Sequence, residues 1–167
     1  MTAQHITPFL WFDTQAEEAA NFYVSVFPNS RIHAVSRYDP AAPQPPGPPR
    51  PAGLAMTVGF ELNGMRFTAL NAGPHFKFSE AISFVIHCAS QEEVDHYWNR
   101  LTAGGGKEAQ CGWLKDKYGL SWQVIPARFL ELMADPDPAR VGRVMGAMMQ
   151  MQKLDIAALE RAANASA

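Results

Sequence analysis

Two of the chain's five histidines, His75 and His87, and a few neutral amides and hydroxyls are its most plausible chemical groups. His75 sits in "NAGPHFKF" between Phe76 and Phe78, an arrangement suited to a lid that holds one titratable imidazole over an apolar pocket. A hydrogen-bonded loop histidine is the plainer alternative. His87 is a single polar position in the apolar run "AISFVIHC". It reads as a satisfied structural histidine or, more sharply, as a general acid or base. Asn71, Ser83 and Gln123 could orient the carbonyl or hydroxyl groups of a ligand, or could bond the backbone instead.

The stretch "CGWLKDKYGLSWQVIP", residues 111–126, gathers further candidates. Trp113 can line a pocket while Trp122 packs toward a helix, and Lys115, Asp116 and Lys117 read as the solvated turn of a hairpin. Cys111 stands beside Trp113, but no adjacent base would activate its thiol. Cys88 lies 23 positions earlier with no CxxC between the two, so both read as reduced thiols packed as small apolar groups.

These residues need elements to position them, and the sequence supplies those twice. At an offset of 75, "FLWFDTQAEEAANFY" (9–23) lies on "FVIHCASQEEVDHYW" (84–98). Each copy passes from an apolar strand through a polar start signal into a helix. Thr14 and Ser90 are the expected N-caps, with Glu17 and Glu93 at the capping-box position. The helices are expected near 15–27 and 91–103; Pro28-Asn29 stops the first, and the glycine run 104–106 caps the second rather than cradling a phosphate. Strands follow each helix: 30–38, then a hairpin over 54–71 turning at Asn63-Gly64, and in the second copy a short strand and a hairpin turning at Asp116 to Gly119. Each half therefore reads β-α-β-β-β. Alternation along 81–87 directs Ile82, Phe84 and Ile86 to the helices and Ala81, Ser83, Val85 and His87 to the other face; by the repeat, Ile6, Pro8, Leu10 and Phe12 share that other face.

Two segments lie outside the repeat. Residues 39–53 hold seven of the 13 prolines and read as a stiff, solvated loop, with a proline-rich recognition motif as the alternative. From Ala127 the chain reads as helices near 127–134, 138–152 and 155–163, the last capped by Asp155 and stapled by Leu154 onto Leu159. Val141, Val144, Met145, Met148 and Met149 form an apolar stripe suited to core packing, a dimer contact or an adaptable ligand surface.

With 167 residues the chain has the length of one domain or of two small modules sharing a core, and it can bury about 70% of its unfolded surface. A net charge of -2, mixed along the sequence, leaves no basic face for nucleic acid. No basic leader opens the chain, and no apolar run approaches the ~20 residues that span a bilayer, so a soluble, cytoplasmic protein is expected.

The repeat, together with "ITPFLWFDTQAEEAANFY", "FTALNAGPHFKFSEAISFVI" and "CGWLKDKYGLSWQVIP", resembles the PhnB-like branch of the vicinal oxygen chelate superfamily. That superfamily includes glyoxalase I, bleomycin-resistance proteins and extradiol dioxygenases; members of this branch often carry the name 3-demethylubiquinone-9 3-methyltransferase. The resemblance covers residues 5–126, and the tail fits the same branch. It implies an α+β fold of two tandem βαβββ modules, about 5–72 and 80–126, forming a curved, mixed eight-stranded sheet with a C-terminal helical extension over 127–167. It further implies a ligand cavity and a homodimer. Metal-binding members draw ligands from the first and last strand of each module, which fall here on Pro8, Ala69, Ser83 and Gln123. Such a set holds a divalent metal poorly, so no metal and no other cofactor is expected.

The function expected is metal-independent binding of a small organic molecule, with Asn71, His75, Phe76, Phe78, Ser83, Trp113 and Gln123 as contact residues. The alternatives are an enzyme using His75 or His87 as general base, and the methyltransferase that the branch is named for. For the last, neither a glycine-rich strand-to-helix turn nor an acid for the ribose of S-adenosylmethionine is visible.

Overall fold

The turns and caps that the sequence signals are where the chain reverses. In the computed structural model, which describes residues 6–43 and 50–165, the order is β1 Phe9–Phe12, α1 Ala16–Val26, β2 Arg31–Arg37, β3 Ala55–Leu62, β4 Met65–Asn71, β5 Ser83–Cys88, α2 Gln91–Thr102, β6 Lys107–Glu108, β7 Trp113–Lys115 and β8 Ser121–Pro126. Three helices follow: α3 Ala127–Met133, α4 Pro138–Met148 and α5 Ile156–Asn164. Both βαβββ modules are present, and their eight strands form two four-stranded mixed sheets, ordered β1-β4-β3-β2 and β5-β8-β7-β6. In each sheet the first strand runs parallel to the last and the remaining pairs are antiparallel.

The chain divides into two compact units, 1–77 and 78–167. In the first, α1 buries Ala16, Ala19, Ala20, Tyr23 and Val26. Tyr23 stacks on Phe60 at 6.1 Å between ring centroids, and Phe60 on Phe67 at 5.3 Å. Burying each such ring contributes about 2–3 kcal/mol. The hairpin turns at Asn63 and Gly64, both with positive φ (44° and 86°), the two-residue geometry that matches strand twist. Of the proline-rich segment, residues 44–49 lie outside the described residues; its flanks are tied by Tyr38 N–H donating to Leu54 O at 2.9 Å.

In the second unit α2 buries Val94, Trp98 and Leu101 against its sheet, and the Trp98 indole donates to Glu108 at 2.8 Å. Ser90 accepts from Glu93 N–H, as the expected capping box requires, while the Glu93 carboxylate accepts from Ala89 N–H at 2.7 Å, one residue before the N-cap. Gly104 and Gly105 carry the chain away from α2 with φ of 70° and 115°. The C-terminal helices belong to this unit. Ile125, Leu132, Val144, Leu154, Leu159 and Ala163 form one apolar cluster, and Cys111 and Gly112 N–H groups donate to Met151 O and Gln152 O, each at 2.8 Å.

Four expectations about the helices and strand faces change. Thr14 does not cap α1: the N-cap is Gln15, which makes no side-chain cap bond. α4 ends at Met148, four residues short of the expected end, and of its stripe only Val144 is fully buried, Met145 and Met149 being exposed. Ile82 does not cover a helix; it precedes β5 and is exposed, whereas Ile86 is buried. Leu10 and Phe12 are buried on the helix side, and Phe9 and Trp11 take the other face. Residues 13–15 link β1 to α1, but only 89–90 link β5 to α2. One extra residue moves the whole strand by one step relative to its helix, and a one-step shift exchanges the faces of a strand.

Candidate functional site

Each sheet has a helix-covered face and an opposite face, and strand register decides which residues share the latter. In the second unit Val85 pairs with Gln123, Gln123 with Trp113, and both Ser83 and Lys115 with Ser121. Partners in a ladder point to the same side, so Ser83, Val85, His87, Trp113, Lys115, Ser121 and Gln123 share one face. There the Gln123 amide donates to Ser83 Oγ at 2.9 Å. This pair and Trp113 are the sequence-derived candidates that the fold brings together. His87 is exposed on the same strand face, two positions beyond Val85.

Near the β6–β7 edge of this sheet lies a cavity of about 220 Å³, whose lining includes Glu80, Lys107, Trp113, Lys115 and Ser121. Lys107 and Lys115 are direct partners across the β6–β7 ladder. The Lys115 ammonium forms an ion pair with the Glu80 carboxylate, and this hydrogen bond holds the Glu80 carboxyl below its ordinary range. Ser121 is 1% exposed, and its Oγ has no hydrogen-bond partner among the described residues. Lys107, Ser121 and Glu80 are not among the sequence-derived candidates; alternation counted from Gln123 and Trp113 places Ser121 and Lys115 on their face.

Other candidates stand elsewhere. Asn71 is fully buried in the first unit: its Oδ1 accepts from Ala16 N–H at 2.8 Å, its Nδ2 donates to Ala55 O at 2.9 Å, and its carbonyl accepts from Tyr38 at 2.6 Å. The side chain thus supplies the α1 cap that Thr14 does not. Phe76 packs edge-on against Trp11 at 4.8 Å, and the Trp11 indole donates to Gly73 O at 2.8 Å. His75 and Arg50 both lie against Gly73, whose φ is 93°. Phe78 belongs to the second unit.

Asp116 is not part of a solvated turn. It is 3% exposed; Oδ1 accepts from Tyr118 and Leu120 N–H, and Oδ2 from the Trp122 indole at 2.9 Å. Burial pushes the Cys88 thiol up to about 12, with the Glu93 charge adding to it. Cys111 is half-buried with φ of 62°.

The positions implied for a metal do not fit one. Ala69 is buried on the helix side, and Ser83 and Gln123 are bonded to each other. Among the described residues no three of His, Cys, Asp and Glu converge on a point where they could hold a metal, and no helix is long and apolar enough to cross a membrane. The strand-to-helix turns, residues 13–15 and 89–90, contain no glycine to let a nucleotide phosphate approach the backbone. The first amide of α1 is taken by Asn71, and at the start of α2 the Ser90 hydroxyl takes Glu93 N–H and the Glu93 carboxylate takes Ala89 N–H.

Comparison with known proteins agrees with the resemblance read from the sequence. The family model described as 3-demethylubiquinone-9 3-methyltransferase matches residues 4–125. A PhnB protein from Bacillus cereus with the same family name is 36% identical over 74% of this chain and 100% of its own, with a TM-score of 0.65. Protein PA1353 from Pseudomonas aeruginosa shares the fold at 18% identity, with a TM-score of 0.59 over 74% of this chain and 98% of its own. No curated protein matches the chain.

Proposed function

The chain belongs to the 3-demethylubiquinone-9 3-methyltransferase family, the PhnB-like family, and from that premise we propose that it binds a small organic molecule on the face of the β5–β8 sheet without using a metal. The observation that carries this reading is the Gln123–Ser83 pair beside Trp113. An amide held by a hydroxyl keeps its carbonyl oxygen and one N–H for a ligand, and an indole supplies a flat apolar wall. The protein works as a cytoplasmic homodimer, with His87 on the same face as general base if the bound molecule is turned over. His75 and Phe76, packed around Trp11 and Gly73, form a second contact surface in the first unit.

Native mass spectrometry of the purified protein tests this, followed by titration with a panel of small aromatic compounds. A dimer that retains or takes up one organic molecule per chain, and loses it in Gln123→Ala and Trp113→Ala, is expected. A chain that binds no member of the panel, or binds a stoichiometric divalent metal through Ser83 and Gln123, overturns the reading.

The family's name supplies a second reading, methyl transfer to a demethylubiquinone. The strand-to-helix turns 13–15 and 89–90 contain no glycine, and the first amide of α1 is taken by Asn71, which does not suit S-adenosylmethionine. Transfer of a labelled methyl group to a quinol by the purified protein would establish it.

A further inference from the structure

We propose that the cavity at the β6–β7 edge is an oxyanion subsite, so that the molecule bound by the second unit carries a carboxylate or phosphoryl group on a flat body. This rests on the ligand-binding reading above and deepens it by naming the ligand's charged end. Two lysines directly opposite each other on one face repel, and such a pair is stabilised when an anion lies between them. Lys107 and Lys115 are placed in that way, and one carboxylate, from Glu80, reaches Lys115. No described residue forms an ion pair with Lys107.

Ser121 supplies an independent sign of a ligand. A hydroxyl that is 1% exposed, lines the cavity and has no described partner costs free energy unless a ligand or water satisfies it. Of the two carboxylates in the lining, Glu108 is engaged by the Trp98 indole and Glu80 by Lys115, which leaves the Lys107 ammonium and the Ser121 hydroxyl as donors for an acceptor-only oxyanion that displaces Glu80 from Lys115. Trp113, two residues from Lys115 on the same strand face, provides the wall for the flat body. The Glu80 side chain is 64% exposed and bonds Lys115 from the chain itself, so it occupies one of the positions the ligand's oxygen would take. Glu80 is therefore a tethered competitor.

Calorimetric titration of the full chain with benzoate, phenyl phosphate and uncharged benzamide tests this. Benzoate or phenyl phosphate should bind at least tenfold tighter than benzamide, and the tighter of the two identifies the oxyanion. Lys115→Met, Lys107→Met and Ser121→Ala should each weaken that binding several-fold, while Glu80→Gln should strengthen it. Lys107 is exposed, so its variant keeps the test open if the buried Ser121 substitution impairs folding. Binding of both benzoate and phenyl phosphate no tighter than that of benzamide, or tighter binding by Lys115→Met, overturns the oxyanion assignment and leaves the wider binding face standing. Failure of every compound in the aromatic panel overturns that face itself.

Discussion

The Trp122 indole donates to Asp116 Oδ2 at 2.9 Å inside the second unit, joining the tight turn after β7 to the helix-side core under β8. With Oδ1 serving two backbone amides, this carboxylate satisfies three donors. Asp116→Ala leaves them unpaired and should destabilise the second unit by about 3 kcal/mol. Asp116→Asn, which keeps an acceptor for the turn amides, should cost less. Urea unfolding followed by Trp fluorescence measures both; an unchanged midpoint for the alanine variant would contradict the assignment.

Asn71 plays the matching part in the first unit. Asn71→Ala removes the acceptor for Ala16 N–H and the donor to Ala55 O, and should cost about 2 kcal/mol. Because the side chain is fully buried, binding on the β5–β8 face should be unaffected in the folded fraction. Thermal unfolding and ligand titration of one variant separate the two effects.

Gly112 joins the second sheet to the C-terminal helices. Its φ is 82°, and a Cβ there would stand 2.9 Å from Val124 O and 3.3 Å from Leu154 Cδ1. Gly112→Ala should destabilise by about 2–3 kcal/mol, combining left-handed strain with a backbone clash. Hydrogen exchange should locate the loss at the amides of Cys111 and Gly112, which donate to Met151 O and Gln152 O.

The two thiols should separate cleanly. Cys88 is fully buried and its pKa is pushed to about 12, so an aromatic disulfide reagent at pH 8 should titrate one thiol per native chain, Cys111, and two after unfolding. The folded pKa is raised, so the protonated Cys88 contributes stability that is fully present below the unfolded thiol value near 8.5 and is lost as pH rises toward about 12. Cys88→Ala should flatten that alkaline decline, measured as unfolding free energy from pH 8 upward.

Much of this fold is legible locally. Asn63-Gly64, the Ser90–Glu93 box, the glycines after α2 and the Asp155 cap each act over a few residues, and each stands where its chemistry placed it. Gln123, Ser83 and Trp113 share a face because strand alternation and pairing put them there. The faces of β1 were not legible, since one extra residue before α1 reverses them and the repeat alignment hides it. Nor was the role of Asp116, where two lysines and a tight turn suggest solvent, and only the arrival of Trp122 from β8 makes a buried carboxylate tenable. Asn71 has no local signal at all, because its partner Ala16 is 55 residues away. Periodicity, turn chemistry and caps are short-range, so the sequence by itself determined the two βαβββ modules. Which polar group is buried, which hydroxyl lacks a partner among the described residues and which lysines oppose each other depend on how the strands pair and pack, and only the tertiary structure decided those.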